Sequence, residues 1–398
     1  MKKATALQFA VLCGVPFVMV LGNSMLIPVF PQMKQAMNLT QFQVGLIVTF
    51  FSLPAGILIP FAGYLSDRFG RKVIIVPALF LYGLGGLVSG FAALLLERPF
   101  PVVLAGRVLQ GMGAGGTYQL AMALTGDIFQ SKERTKALGM LEASNGFGKV
   151  ASPILGALIA MITWHAPFFV YSIVTYPIAL GVWFLVKEPK HEKASESLKK
   201  YGQKLLSVFR QKGKTLLASY FSGMVVLFTL FGVMSWVSDY LESEYRIFAI
   251  AKGLVLAIPV TAMALTSFFS GMWLSKQPQW SKAAIIFGTV GATAVLLLIP
   301  LFANIYLFML MLLFLGIFIG SVLPPVNAII TGATKSDQRG IVTSLYGTVR
   351  FFGVAIGPPL FGLAINYGRW VMFAGAAAVT AVAAVIAVLF ITTPQKQE

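Results

Sequence analysis

A polar stripe inside an otherwise apolar stretch holds the residues best suited to move a proton. Glu142, Asn145 and Lys149 are spaced by three and four positions, so on a helix they share one face. A carboxylate beside a lysine in apolar surroundings can take up and release a proton as those surroundings change. The same pair can also be a compensated structural contact with little net effect on stability. The residues alone leave both interpretations open.

Two arginines, Arg107 and Arg350, also fall inside apolar stretches. Arginine stays protonated, so neither can carry a proton, but each can bind an anionic group or shift the pKa of a nearby acid. The candidates for proton handling are Glu142, Lys149, Asn145 and Arg107. The candidates for lining a substrate cavity are Asn23, Arg350, Phe228 and Phe231.

The chain offers little for metal or enzyme chemistry. Its one cysteine is Cys13 and its two histidines are His165 and His191, so we expect no metal site. No nucleophile–base set and no phosphate-binding loop stands out. We therefore expect neither an enzyme nor a bound cofactor.

The elements that position these residues are membrane-spanning helices. Of the 398 residues, 58% are hydrophobic and only 11% are charged, which is too little charge for the surface of a soluble domain. Apolar runs long enough to span a bilayer recur with short gaps, and they do not alternate as barrel strands would. We predict an all-α membrane protein whose twelve spans are 6–30, 43–65, 73–95, 101–128, 137–161, 166–186, 216–240, 251–274, 282–302, 304–332, 340–366 and 370–392.

The formal net charge of +17 is explained by topology. With the N-terminus inside, most of the 30 lysines and arginines fall in cytoplasmic segments. The outer segments hold only Lys34, Arg98, Arg246, Lys252 and Arg369. This positive-inside pattern places both termini in the cytoplasm and removes any need for a nucleic-acid partner.

An internal repeat divides the chain into two halves. Arg134, Gly148 and Pro153 recur as Arg339, Gly353 and Pro358, each 205 positions later. Gly111 and Gly115 match Gly316 and Gly320 by the same offset. We predict a six-helix bundle over 1–186, a basic cytoplasmic linker over 187–215 and a second bundle over 216–398. The linker is expected to be a tether near anionic headgroups, and a regulatory role remains the alternative.

The predicted loop between the second and third spans has the order Gly-Tyr-Leu-Ser-Asp-Arg-Phe-Gly-Arg-Lys over 63–72. Its glycines permit a tight turn at the membrane face. Its single acid, Asp67, can pair with a base or with the positive end of a helix, and so latch the two halves. An incidental acid in a basic loop is the alternative. The gating candidates are Gly63, Asp67, Arg68, Gly70, Arg71, Lys72 and Asp127.

This loop resembles the signature of the major facilitator superfamily. Residues 103–111 (Val-Leu-Ala-Gly-Arg-Val-Leu-Gln-Gly) resemble the family's fourth-helix motif, and residues 148–156 resemble the fifth-helix motif of its antiporters. Pro28 and Pro31 resemble the proline pair that closes the first helix in drug:proton antiporters. Ser152 and Ala157 depart from the fifth-helix pattern. No acid precedes Asp67, whereas proton-coupled relatives often carry one in the first helix.

The resemblance implies roles for several of these residues. Arg107 would orient groups near the first helix, Asp127 would pair with Arg71, and the stripe at Glu142 would lie beside a central cavity. The fifth-helix motif implies a flexible joint against the eighth span, with helix packing alone as the alternative. The hinge and packing candidates are Gly148, Pro153, Gly156, Gly353, Gly357 and Pro358.

The function implied is secondary transport in a bacterial inner membrane. The first hypothesis is proton-coupled efflux of lipophilic or amphiphilic small molecules by a monomer that draws on the proton gradient. Because basic side chains outnumber acids among the cavity candidates, the alternative is a flippase or exporter of an anionic amphiphile such as a glycolipid or lipopeptide. Nutrient uptake ranks third. The expected partners are the small-molecule or lipid-like substrate, protons and membrane lipids.

The charge pattern predicts which positions reach each side of the membrane. In a Cys13→Ala background, a cysteine at Ser197 should resist an impermeant maleimide in intact cells, because the linker is cytoplasmic. A cysteine at Ser243 should react. Permeabilised cells provide the control, and the reverse pattern would overturn both the number of spans and the orientation.

Overall fold

The computed structural model describes residues 3–129, 131–189, 198–333 and 339–392. Within these ranges the regular structure is helical, with no strand, as expected for apolar segments that must satisfy their own backbone groups. The α-helices are α1 (Lys3–Ser24), α2 (Phe30–Met37), α3 (Gln41–Phe69), α4 (Arg71–Leu95), α5 (Phe100–Gly115), α6 (Tyr118–Ile128), α7 (Ser131–Ile159), α8 (Ala166–Leu185), α9 (Leu198–Ser243), α10 (Ala249–Lys276), α11 (Ser281–Leu298), α12 (Ile305–Gly332), α13 (Arg339–Ala364) and α14 (Arg369–Phe390). The linker residues 190–197 lie outside the described part of the chain.

Two of the predicted spans are interrupted. The first is divided into α1 and α2 by the 3-10 turn Ile27–Val29, where Pro28 cannot donate a backbone hydrogen bond. The fourth is divided into α5 and α6 at Gly116 and Thr117, and Thr117 has non-helical backbone angles. The spans predicted over 6–30 and 101–128 are therefore each built from two helices. With each broken pair counted once, the fourteen helices make the twelve predicted spans.

Within the described ranges, ten segments are long and apolar enough to cross a membrane, judged by length and composition. The fourth and fifth spans are not among them. The fourth consists of two short helices, α5 and α6, of 16 and 11 residues. The fifth, α7, has 29 residues but carries the stripe from Glu142 to Lys149. These two consecutive spans are thus the ones that do not meet the combined criterion of length and apolarity.

The helix at the start of the second half begins earlier than predicted. We expected the seventh span to start at residue 216, whereas α9 begins at Leu198 and bends at Lys212, whose φ of −128° is not helical. The stretch before the bend includes the second part of the predicted linker. That part is therefore helical and joins the seventh span at the bend.

The chain forms two compact units. Unit 1 comprises Met1–Leu39, Leu46–Ser195 and Phe248–Gly253, and unit 2 comprises Thr40–Gly45, Glu196–Ile247 and Leu254–Glu398. In unit 1, α1 packs on α7, and α4 packs on α5 and α8. In unit 2, α9 packs on α13, and α11 packs on α12 and α14 in the same way. The sequence repeat is thus also a repeat of helix pairings.

Matching glycines allow matching close contacts in the two units. A methyl group added to Gly115 would lie 2.8 Å from the carbonyl oxygen of Ala55, and one added to Gly320 would lie 2.6 Å from that of Met263. Either contact is too short for a carbon and an oxygen. The glycines are needed because the neighbouring backbone passes so closely.

A lysine joins two helix ends in each unit. Lys72, at the start of α4, donates its Nζ to the carbonyl oxygen of Val186 at 2.9 Å, just beyond the end of α8. Lys282, at the start of α11, donates to Val388 near the end of α14 at 2.7 Å. Each lysine satisfies one carbonyl group that its helix end leaves without an intrahelical partner.

Candidate functional site

Arg107 lies at the centre of a polar network in unit 1, beside the interruption of the first span. Its side chain is fully buried, with no exposed surface. Its Nε donates to the carbonyl oxygen of Ile47 at 3.0 Å, Nη1 to Oε1 of Gln110 at 2.5 Å, and Nη2 to Oδ1 of Asn23 at 2.6 Å. The guanidinium also lies 4.4 Å from the ring centre of Phe51. All three acceptors are neutral oxygens, so the charge is stabilised by dipoles and an aromatic face.

Asn23, predicted as a cavity residue, belongs to this network. It accepts from Arg107 and donates its Nδ2 to Oγ of Ser52 at 2.7 Å, and only 5% of its surface is exposed. Its amide is occupied by protein partners on both sides. Asn23 therefore links the end of α1 to Ser52 on α3 and to Arg107 on α5.

Two tyrosine hydroxyls donate hydrogen bonds to backbone carbonyl groups in the C-terminal part of α1. Tyr171 donates to the carbonyl oxygen of Gly22 at 3.1 Å, and Tyr82 donates to that of Val18 at 3.0 Å. The two rings meet edge to face at 5.8 Å. Gly22 lies in the last turn of α1, where carbonyl groups lack intrahelical partners, so the Tyr171 hydroxyl supplies a missing donor. The bond from Tyr82 reaches Val18 about one turn earlier and adds a contact from α4. Sequence reasoning missed both tyrosines.

The gating loop is held within unit 1 by Asp127. The Nε of Arg71 lies 2.5 Å from Oδ2 of Asp127 at the end of α6, as the resemblance implies. Asp67 lies one helical turn before Arg71, with 3.9 Å between its Oδ1 and Nη2. The side chain of Asp67 is about half exposed. Asp127 thus makes the tighter contact with Arg71, and Asp67 stays accessible at the cytoplasmic face.

Glu188, which sequence reasoning missed, makes a further contact with this loop. Its carboxylate accepts from the backbone N–H groups of Arg71 at 2.6 Å and Lys72 at 3.0 Å, at the start of α4. Gly70 precedes them with φ of +107°, and an added methyl group there would lie 3.2 Å from Oε2 of Glu188. A carboxylate is well placed at the positive end of a helix. In the sequence, the one indication of this contact is that Glu188 closely follows the sixth span and so lies at the same membrane face as the loop.

The polar stripe on α7 is present, and its acid has a partner that was not predicted. Glu142 accepts a hydrogen bond from the hydroxyl of Tyr118 at the start of α6. Asn145 is buried and donates to the carbonyl oxygen of Pro16 on α1 at 3.5 Å. Glu142 is exposed and Lys149 is half-buried. The stripe therefore runs from an accessible acid to a buried amide.

The hinge glycines pack against neighbouring backbone in both units. A methyl group at Gly148 would lie 3.2 Å from the carbonyl oxygen of Phe17 on α1, and Gly156 faces the backbone of Met25. In unit 2, Gly353 faces the carbonyl group of Met224, and Gly357 faces that of Phe228 on α9. Close packing is thus an observed property of these glycines.

The hinge prolines are also approached closely by glycines of their own units. In unit 1, a methyl group at Gly253 would lie 2.8 Å from the carbonyl oxygen of Pro153. In unit 2, one at Gly45 would lie 2.7 Å from the carbonyl carbon of Pro358. The contact at Gly253, on α10, is the one that the resemblance implied between the fifth and eighth spans.

The remaining cavity candidates lie in unit 2. Arg350 is half-buried on α13, with its guanidinium carbon 5.5 Å from the ring centre of Tyr346. Phe228 meets Phe361 edge to face at 5.8 Å. Phe231 is half-buried on the same helix as Phe228. Among the described residues no group of three or more acidic, histidine or cysteine side chains is arranged to hold a metal ion.

The chain has relatives over nearly its whole length. The family model described as Major Facilitator Superfamily matches residues 12–285 and 220–398. The chain is 39% identical to the Bacillibactin exporter of Bacillus subtilis (strain 168), over 97% of this chain and 96% of that protein. It is 26% identical to Multidrug resistance protein 2 of the same organism, over 92% of each.

Solved structures share the fold at low sequence identity. A bacterial homologue of the human lysosomal transporter Spinster, in an inward-facing and occupied conformation, matches with a TM-score of 0.78 and 15% identity. The alignment covers 98% of this chain and 97% of that one. The human organic anion transporter MFSD10 (TETRAN) matches with a TM-score of 0.73 and 17% identity, over 97% and 100%.

The Glu188 contact predicts the behaviour of the gating loop. Glu188→Gln removes the charge and one acceptor oxygen from the start of α4. We expect amide exchange at residues 70–72 to become roughly tenfold faster, since hydrogen bonds to charged groups contribute about 1.5–3 kcal/mol. Hydrogen–deuterium exchange with mass spectrometry measures this. Glu133→Gln, at an exposed acid of α7, is the matched control. Unchanged exchange in Glu188→Gln would contradict the cap.

Proposed function

This chain belongs to the Major Facilitator Superfamily, and from that premise we propose that it is a proton-coupled exporter of an amphiphilic small molecule. It is a multi-pass membrane transporter and not an enzyme, as the sequence predicted. The single observation that carries export is the 39% identity to the Bacillibactin exporter over almost the entire chain. Bacillibactin is therefore the first compound to test.

Efflux of several lipophilic drugs is the second candidate. The chain is also similar to the class B Tetracycline resistance protein of Escherichia coli, at 25% identity over 95% of this chain, and to Multidrug resistance protein 2. These relatives are more distant than the first. Transport of ethidium, a lipophilic cation, beside bacillibactin in the same vesicles separates the two candidates.

We assign the coupling proton to Glu142. It is the one acid of the sequence well inside a predicted span, and no acid precedes Asp67. Its carboxylate is accessible and is held by the hydroxyl of Tyr118, so water can reach the group that must exchange its proton. Ionisable groups inside a membrane are costly and rare, which supports a functional reason for this one.

The remaining parts of the proposal follow from this mechanism. The proton gradient supplies the energy, and transport proceeds by alternating access in a monomer with both termini in the cytoplasm. Membrane lipids surround the spans, and the basic segments lie near anionic headgroups of the inner leaflet. The expected orientation is that of a bacterial inner-membrane protein.

The proposal predicts gradient-driven accumulation that depends on Glu142. Purified protein in liposomes with an acidic lumen should accumulate bacillibactin, because protons leaving the lumen drive the compound in through molecules that face inside out. Glu142→Gln should abolish this accumulation and retain movement of the compound down its own gradient. Accumulation is measured by mass spectrometry of the washed vesicles.

Two variants serve as controls for this experiment. Glu133→Gln lies on the same helix at an exposed position and should transport as the wild type does. Tyr118→Phe removes the hydrogen bond but keeps the carboxyl group, so dependence on the gradient should persist. Accumulation at the wild-type rate by Glu142→Gln would show that another group carries the proton. Absence of bacillibactin transport by the wild type would remove this compound as substrate.

A further inference from the structure

Arg350 lies near the middle of the membrane in unit 2. It is eleven residues after Arg339, the first residue of α13, which corresponds to roughly 16 Å at 1.5 Å per residue. The hydrocarbon core is about 30 Å thick, so this depth is close to the midplane. Substrate sites of secondary transporters lie near that depth. A lipid headgroup, which stays at the interface, is too far away to be its regular partner.

Arg350 does not belong to the lipid-facing stripe of α13. Ile356, Leu360 and Leu363 form an exposed apolar stripe, at 43%, 46% and 42% exposure. Arg350 lies six residues before Ile356, which places it roughly 120° around the helix. It is half-buried there, beside Tyr346 one turn earlier. Its guanidinium therefore points away from the surface that hydrocarbon chains would cover.

The guanidinium of Arg350 lacks an acceptor among the residues that the structure describes. Its contact there is with the ring of Tyr346, and its Nε is buried without a hydrogen-bond partner. The hydroxyl of Tyr346 is also buried without a partner, and the residue is only 2% exposed. Tyr220 stacks on Tyr346 with ring centres 5.9 Å apart and fixes that ring. Two neighbouring side chains thus each carry a buried donor, the Nε of Arg350 and the hydroxyl of Tyr346, that has no hydrogen-bond partner in the described structure.

The two membrane arginines differ in this respect. Arg107 has a protein acceptor for each of its three nitrogens. The position that matches Arg350 in unit 1, 205 residues earlier, is Asn145, whose amide donates to Pro16 on the neighbouring helix. In unit 1 the residue at this position, Asn145, bonds to a neighbouring helix, whereas in unit 2 it is the charged Arg350. A cation at this depth is costly without a compensating group.

We propose that Arg350 and Tyr346 form an anion-binding subsite for the exported compound. The proposal rests on the proposed export function and specifies its substrate class as an amphiphile with a carboxylate, phenolate or sulfonate group. The planar guanidinium fork suits an oxyanion, and the Tyr346 hydroxyl supplies a further donor. The apolar body of the compound would lie against the neighbouring apolar side chains of unit 2.

A pair of probes that differ only in charge tests the subsite. Dansyl-undecanoic acid is an anion at pH 7.5, and dansyl-undecanoic amide has the same body without the charge. Fluorescence titration of the full-length protein in detergent measures Kd for each probe. The wild type should bind the acid more tightly than the amide. Arg350→Gln should weaken binding of the acid about tenfold and leave the amide unchanged.

Further variants separate recognition from folding. Arg350→Lys keeps the charge without the fork and should retain part of the preference for the acid. Tyr346→Phe should weaken binding of the acid a few-fold and leave the amide unchanged. Arg210→Gln, at an exposed arginine of α9, should bind both probes as the wild type does. Should Arg350→Gln fail to fold, the first two variants still decide the matter.

Three results would overturn the subsite: equal affinity of the wild type for acid and amide, equal weakening of both probes in Arg350→Gln, or unchanged binding of the acid in Tyr346→Phe. Because binding is measured without a gradient, its result is independent of transport. A wild type that distinguishes the probes but fails to accumulate bacillibactin would support the subsite and contradict that substrate of the proposed export.

Discussion

The break in the first span places the strongest constraint on unit 1. A helix that ends inside a membrane leaves carbonyl groups that water cannot satisfy. The hydroxyl of Tyr171 on α8 reaches one of these carbonyls, that of Gly22, and Tyr82 on α4 donates to Val18 about one turn earlier. Arg107 donates hydrogen bonds to Asn23 near the end of α1 and to the carbonyl oxygen of Ile47 on α3. Four other spans thus contact the last turns of α1 or its partner Arg107. The fully buried charge of Arg107 is stabilised by the oxygens of Asn23, Ile47 and Gln110 and by the ring of Phe51.

The same logic of helix ends applies at the cytoplasmic face. Gly70 allows the chain to turn with positive φ, and Glu188 satisfies the N–H groups that this turn exposes at the start of α4. Arg71 is then free to pair with Asp127 through its side chain. Glu188 thus binds the backbone N–H of Arg71, and Asp127 binds its side chain. The loop between the second and third spans is thus attached to the ends of the fourth and sixth spans within unit 1.

The sequence predicted what local pattern and composition determine. Apolar runs gave the twelve spans, and the repeat gave the matched packing of Gly115 and Gly320. Several contacts between positions that are far apart in the sequence were not predicted. Tyr118 lies 24 positions from Glu142, and Glu188 lies more than one hundred from Arg71. Asn23 was predicted to line a cavity, whereas the structure pairs it with Arg107, 84 positions away. Such pairings depend on three-dimensional packing, which periodicity does not encode.

The low apolarity of the fourth and fifth spans has a consequence for synthesis. A segment enters the bilayer from the translocation channel when its own transfer free energy is favourable. The α5–α6 pair consists of helices that are too short for the criterion of length and apolarity, and α7 is long enough but is not among the segments that meet it. The fourth and fifth spans follow one another in the chain. We therefore expect both to need contacts with the first three spans in order to stay in the membrane. We therefore expect insertion of the first half to depend on several helices together, whereas every span of the second half meets the length and apolarity criterion by itself.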